Sequence, residues 1–135
     1  MIEINNLTSF RIDKKLLTGV AKKVLRGENK GTVSISVALV SQGEIKKLNR
    51  KFRSKNKPTD VLSFTLNEKD CLGEIVICPE IVKKNAEKFK VSFKKELTKM
   101  LIHGILHLCG YDHEKSESKA ELMEGREAKY LSKVI

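Results

Sequence analysis

The residues best placed to do chemistry are the histidines, and all three of the chain fall in one short run, His103-Gly104-Ile105-Leu106-His107-Leu108-Cys109-Gly110-Tyr111-Asp112-His113. On a helix, His103 and His107 stand one turn apart, ~40° apart around the axis and separated by a rise of ~6 Å. Two imidazoles so placed can reach one ion at ~2.0–2.1 Å each. Gly110 can adopt the left-handed conformation that stops a helix, so the chain can fold back and present His113 as a third ligand. Three neutral imidazoles leave a tetrahedral zinc with one open position, which suits catalysis better than a closed structural site. The plainer alternative is a pair of ordinary histidines on a partly buried helix. The spacing, with a helix-stopping glycine between the second and third histidines, favours one Zn2+ per chain held by His103, His107 and His113.

The same spacing coincides with the metzincin peptidase pattern His-Glu-x-x-His-x-x-Gly-x-x-His. The coincidence breaks at the general base, because Gly104 replaces the glutamate and leaves the peptidase reading without its proton acceptor. The three cysteines, Cys71, Cys78 and Cys109, are odd in number and contain no Cys-x-x-Cys pair. Neither a disulfide framework nor a thiolate zinc site is expected, and core thiols are the natural reading of Cys71 and Cys78.

Positioning such a site requires a frame. Ile2 and Ile4 alternate with polar neighbours, as in a short strand. Ile12, Leu16, Leu17, Val20, Val24 and Leu25 recur at helical spacing, with Gly27 as terminator. Thr32–Val40 alternates and is rich in β-branched residues, so strand, helix and strand suggest a parallel pair with a right-handed crossover. Ser41 and Glu44 have capping-box spacing and open a helix with the apolar stripe Ile45, Leu48 and Phe52. Lys46, Arg50 and Arg53 fall together on a flank of that stripe.

Pro58 ends the helical path, and Thr59–Leu66 and Leu72–Cys78 read as a hairpin joined by the polar turn Asn67–Asp70. After Pro79 the chain reads as helical. Ile81, Val82, Ala86 and Phe89 make one stripe, and Ser92 caps a helix carrying Leu97, Leu101, Ile105 and Leu108. A last helix has Ser118 and Glu121 as its capping pair, with Leu122, Met123, Tyr130 and Leu131 apolar. The fold class expected is α/β, α+β-like: one domain over residues 1–135, with a small mixed sheet of about four strands and a helical C-terminal half that carries the metal site.

The chain of 135 residues is 40% hydrophobic with two prolines, enough for a core and without a Pro-rich linker. No run approaches the ~18 apolar residues of a membrane span. Glu3 lies where a signal peptide would need basic residues, so a cytoplasmic protein is expected. The net charge of +10 is unevenly placed: through Pro58 there are 14 Lys and Arg against 4 Asp and Glu, and from Thr59 onward 13 against 13. A basic excess can be no more than a solvated surface. Concentrated in this way it also suits a polyanion, since each neutralised phosphate releases counterions.

The segment His103 to His113 resembles the signature of the YbeY family of bacterial metallo-endoribonucleases, down to Gly104, Leu106, Leu108 and the Gly110-Tyr111-Asp112-His113 ending. Leu48-Asn49 through Arg53, the run Pro58-Thr59-Asp60-Val61-Leu62-Ser63-Phe64, and Leu72-Gly73-Glu74-Ile75-Val76-Ile77 agree in order. Thr65 stands where the family usually has proline, and Glu74 where it usually has aspartate.

The resemblance implies one zinc on three histidines and cleavage of single-stranded RNA. It also implies work on ribosomal RNA, including maturation of the 16S 3′ end and ribosome quality control, with the ribosome or small-subunit proteins as partners. It assigns the functional arginine to Arg53, whose guanidinium suits the charge developing on a phosphorane. Lys46 and Arg50 join Arg53 as expected RNA contacts. Asp112 either orients a histidine or relays a proton, or else caps a turn. The nucleophile is either water or the ribose 2′-hydroxyl. The competing functions are a metallopeptidase, disfavoured by Gly104, and a non-catalytic ribosome-associated RNA-binding protein.

Overall fold

A computed structural model describes residues 1–68, 70–112 and 116–134. In chain order the elements are β1 (Ile2–Asn6), α1 (Lys14–Gly27), β2 (Ser34–Leu39), α2 (Gln42–Arg53), β3 (Val61–Glu68), β4 (Cys71–Ile77), α3 (Pro79–Phe89), α4 (Phe93–Leu108) and α5 (Glu117–Val134). The four strands form one mixed sheet in the order β1-β2-β4-β3. β1, β2 and β4 run parallel, with Ile4 opposite Val37 and Val37 opposite Ile75. β3 returns antiparallel along β4, so the hairpin places β3 at the sheet's edge.

Alternation along the central strands sends side chains to both faces. Ile35, Val37, Leu39, Ile75 and Ile77 join α1 and α4 in the larger core through Leu17, Val24, Leu101 and Ile105. Val40, Val76 and Cys78 face the other way and pack with Ile45 and Leu48 of α2 and Leu62 and Phe64 of β3. The sheet is therefore sandwiched, with α2 on one face and α1 and α4 on the other. α4 is the hub, packing on α1, α3, α5, β3 and β4. Most of its length is buried, as expected of a helix surrounded by neighbours.

The helix starts follow the capping chemistry of their serines and aspartate. Asp13 accepts from the Leu16 amide, Ser41 from Glu44 and Ser92 from Lys95. Four expectations are corrected. Ser118 lies inside α5, and it is Ser116 whose hydroxyl accepts from the Lys119 amide, because the helix begins two residues earlier than the Ser118–Glu121 pairing implies. Phe89 is 55% exposed at the C-terminal end of α3, and Leu122 is 59% exposed while its neighbour Met123 is buried. Phe52 is 57% exposed, and the buried positions on α2 are Ile45 and Asn49, the latter donating its side-chain NH2 to the Lys57 carbonyl at 2.9 Å. That bond folds the basic segment after α2 back against the helix and gives the buried side-chain NH2 a partner, while Asn49 Oδ1 has none among the described residues. No helix among the described residues is long and apolar enough to cross a membrane.

Candidate active site

The edge position of β3 creates the site. With no strand beyond it, side chains from both faces of the sheet can reach a common cleft beside it. α4 brings His103 and His107 from one face, and the C-terminal end of α2 brings Phe52 and Arg53 from the other. The cleft, of about 540 Å³, is lined by these four residues, by Thr59 to Thr65, and by Asp112.

The helical spacing of the histidines does bring their rings together. Their centroids are 4.8 Å apart with the planes at 75°. Behind His103, Nδ1 lies 3.3 Å from Glu127 Oε2 of α5. With Nδ1 engaged by that carboxylate, Nε2 is the nitrogen this ring would give to a metal, which is the usual orienting role of a carboxylate behind a ligand histidine. Glu127 is buried, and its Oε1 has no hydrogen-bond partner among the described residues. Nothing in the spacing of the histidines pointed to Glu127.

α4 ends at Leu108, and Gly110 takes φ +103°, the left-handed conformation expected of it. The chain turns there: the Gly110 amide donates to the His107 carbonyl and the Tyr111 amide to Leu106. His113 lies outside the described residues, and among the described residues no three His, Cys, Asp or Glu side chains form a metal-binding group. Two imidazoles on one wall, one of them braced by a carboxylate, nevertheless have the donor chemistry of a zinc site.

The turn is held from behind by a polar cluster. Glu28, at the end of α1, accepts hydrogen bonds from Arg126 and Tyr130 of α5, and Tyr111 also bonds to it. Burial opposes the charge of Glu28, but the bonds from Tyr130, Arg126 and Tyr111 outweigh it and hold the carboxyl below its usual range. Burial and the bond to Glu28 push the Tyr130 phenol up to about 12. Cys109 is partly buried against the larger core, and burial pushes its thiol up to about 11. A thiol so protonated is a packing group, as Cys71 and Cys78 were expected to be.

Gly104 is turned onto the sheet. A Cβ there would lie 2.8 Å from Ile75 Cγ2, so α4 and β4 approach closely only because position 104 has no side chain. The Ser63 hydroxyl donates to the Gly104 carbonyl at 3.2 Å, tying the edge strand to the histidine helix. The missing peptidase glutamate is thus more than a substitution, since the packing leaves it no room.

Of the basic flank, only Arg53 lines the cleft. Lys46 and Arg50 are exposed on α2 outside it. Asp112 is at the cleft, beside the turn.

Comparison with known proteins decides the family. A family model described as endoribonuclease YbeY matches residues 3–135. The chain belongs to the YbeY family. Among curated YbeY proteins, it is 48% identical over 121 residues to endoribonuclease YbeY of Thermotoga petrophila, covering 90% of this chain and 77% of that one. It is 40% identical over 128 residues to that of Aliarcobacter butzleri, covering 92% and 87%. The solution structure of a Thermotoga maritima protein superposes with a TM-score of 0.73 at 43% identity, over 99% of this chain and 89% of the other. The mixed sheet with five helices is therefore a fold this chain shares with a solved structure.

Proposed function

We propose that this protein is a zinc-dependent endoribonuclease that cuts single-stranded RNA, with ribosomal RNA as its substrate, including the 16S 3′ end. On this reading it works in the cytoplasm, on the ribosome or its small-subunit proteins, in rRNA maturation and quality control. The observation that supports the reading most is the meeting of two chemistries in one cleft: an arginine from α2 and two imidazoles from α4, on either side of β3.

His103 and His107 would hold zinc together with His113, the third ligand being proposed from the sequence spacing. The ion would supply Lewis acidity towards a phosphodiester oxygen or water. The protein's own groups have distinct tasks. Glu127 engages Nδ1 of His103, so that Nε2 would be the nitrogen left to hold a metal. Arg53 binds two non-bridging phosphate oxygens through its planar fork and is strongest when charge accumulates on them. Asp112, which lines the cleft, orients a histidine or relays a proton. Lys46 and Arg50, exposed outside the cleft, contact flanking phosphates and draw the polyanion toward it.

A metallopeptidase is disfavoured by more than the missing glutamate, because Ile75 fills the space that its side chain would need. The test is His107→Ala: zinc content and RNA cleavage should fall together. Zinc retained at the wild-type level in that variant would overturn the ligand assignment.

A further inference from the structure

Phe52 breaks the pattern of its own helix. Ile45, Leu48 and Phe52 share one stripe, yet the stripe is buried only at its start, and Phe52 overhangs the cleft mouth, 57% exposed. Exposing a phenyl ring in water is unfavourable. The ring is nevertheless oriented. It meets Phe64 of β3 edge to face, with centroids 5.1 Å apart and planes at 64°. Phe64 is itself packed against the smaller core, so it is a fixed support.

Cations flank the ring along the chain. The exposed Lys51 places its Nζ over the Phe52 ring, 5.2 Å from the centroid, and Arg53 lines the cleft beside Phe52. Residues 51–57 contain Lys51, Arg53, Lys55 and Lys57 and no acid. An aromatic ring supported from one side within a row of cations is the arrangement that binds single-stranded nucleic acid, with bases on the ring and phosphates on the cations. In a duplex the faces of the bases are already covered by stacking, so only an unpaired nucleotide can use the ring.

We propose that Phe52 is the stacking platform for one unpaired nucleobase of the RNA, next to the phosphate held by Arg53. This rests on the endoribonuclease reading and extends it: the preference for single strands arises, at least in part, at Phe52. A peptide aromatic could also pack on the ring, but the row of cations favours the polyanion.

The test compares wild type with Phe52→Ala, Phe52→Leu and Phe52→Trp on a short single-stranded RNA whose cut site has been mapped with wild type. Affinity is read by fluorescence anisotropy and cleavage as KM and kcat. A second set of RNAs carries one abasic nucleotide at each position flanking the cut. Phe52→Ala and Phe52→Leu should weaken binding roughly 10-fold, mostly in KM, and Phe52→Trp should stay near wild type. One abasic RNA should cost the wild type a similar factor and cost Phe52→Ala nothing further. Binding to pre-formed duplex should not depend on Phe52.

The inference is overturned if Phe52→Leu equals wild type, or if every abasic RNA penalises wild type and Phe52→Ala alike. Wild-type protein that neither binds nor cuts RNA would contradict the endoribonuclease reading itself. Unchanged RNA affinity and cleavage in Phe52→Ala, with active wild type, would contradict the stacking role alone. Because the ring is exposed, its removal should leave folding and zinc content intact, and both are measured on every variant.

Discussion

His103 Nδ1 and Glu127 Oε2 stand 3.3 Å apart, joining the histidine helix to the last helix across 24 positions of sequence. The pair sets which nitrogen of His103 faces the cleft, so Glu127 should govern metal affinity without being a ligand. Replacing carboxylates in this position typically costs 10- to 100-fold in affinity, by the order of magnitude found behind other metal sites. Glu127→Ala should therefore weaken zinc binding by about that factor, and Glu127→Gln, which keeps an acceptor oxygen, by less. Competition titration against a fluorescent chelator measures both. Wild-type affinity in Glu127→Ala would show that the contact is structural only.

Arg53 should separate chemistry from binding. Losing one aligned charge-stabilising donor typically lowers the rate by ~10²–10³, whereas losing a surface phosphate contact mainly weakens affinity. Single-turnover cleavage at saturating RNA should thus fall steeply in Arg53→Ala while zinc content holds. Arg53→Lys should rescue little, because an ammonium cannot reproduce the two-pronged guanidinium contact. A wild-type single-turnover rate in Arg53→Ala would reduce it to a surface contact.

Lys46 and Arg50 lie outside the cleft but on the basic side of the chain's charge distribution. Neutralising both should flatten the dependence of RNA affinity on salt by about one to two released counterions, since each phosphate contact contributes a slope near ~0.9 or less. Neutralising Lys129 and Lys133, both exposed on α5 where charge is balanced, should change the slope less. Equal effects from the two pairs would show that the asymmetry plays no part in binding.

Much of the frame was legible because local chemistry and long-range packing agree. Ser41 and Ser92 cap the helices that follow them, the alternation read over Thr32–Val40 contains the strand Ser34–Leu39, and Gly110 turns the chain after the second histidine. Where the reading failed, the deciding information was not local. Periodicity identifies the apolar stripe on α2 but not how far the sheet extends beneath it, so Phe52 reads as core and lies at a cleft mouth. Ser116 and Ser118 offer similar caps, and the sequence has no means of choosing between them. The insertion of β4 between β2 and β3 makes β3 an edge, and the cleft depends on that edge. The approach of Glu127 to His103 is a product of tertiary packing, which spacing rules for one helix cannot reach.

The cluster behind the turn gives a pH signature. Glu28 has a lowered pKa in the fold, so its stabilising contribution is complete above the unfolded value of ~4.3 and is lost as pH falls through the folded value. Tyr130 works in the opposite sense: its contribution is complete below ~10 and is lost as pH rises towards about 12. Glu28→Gln should lower Tm at pH 7, and the gap to wild type should close in acid as wild-type Glu28 protonates. Thermal unfolding of both proteins across pH measures this. A gap that stays constant from neutral pH to pH ~3 would contradict the ionised role of Glu28.

On the proposed function, one metal-dependent cleft cuts RNA. The most direct measurement incubates the purified protein, its metal content determined beforehand, with end-labelled single-stranded RNA and in parallel with casein, each with chelator, without it, and after zinc is added back. The expected result is endonucleolytic RNA cleavage that the chelator abolishes and zinc restores, with casein intact throughout. RNA cleavage unchanged after the metal has been stripped, or chelator-sensitive cleavage of casein in place of RNA, would contradict the account.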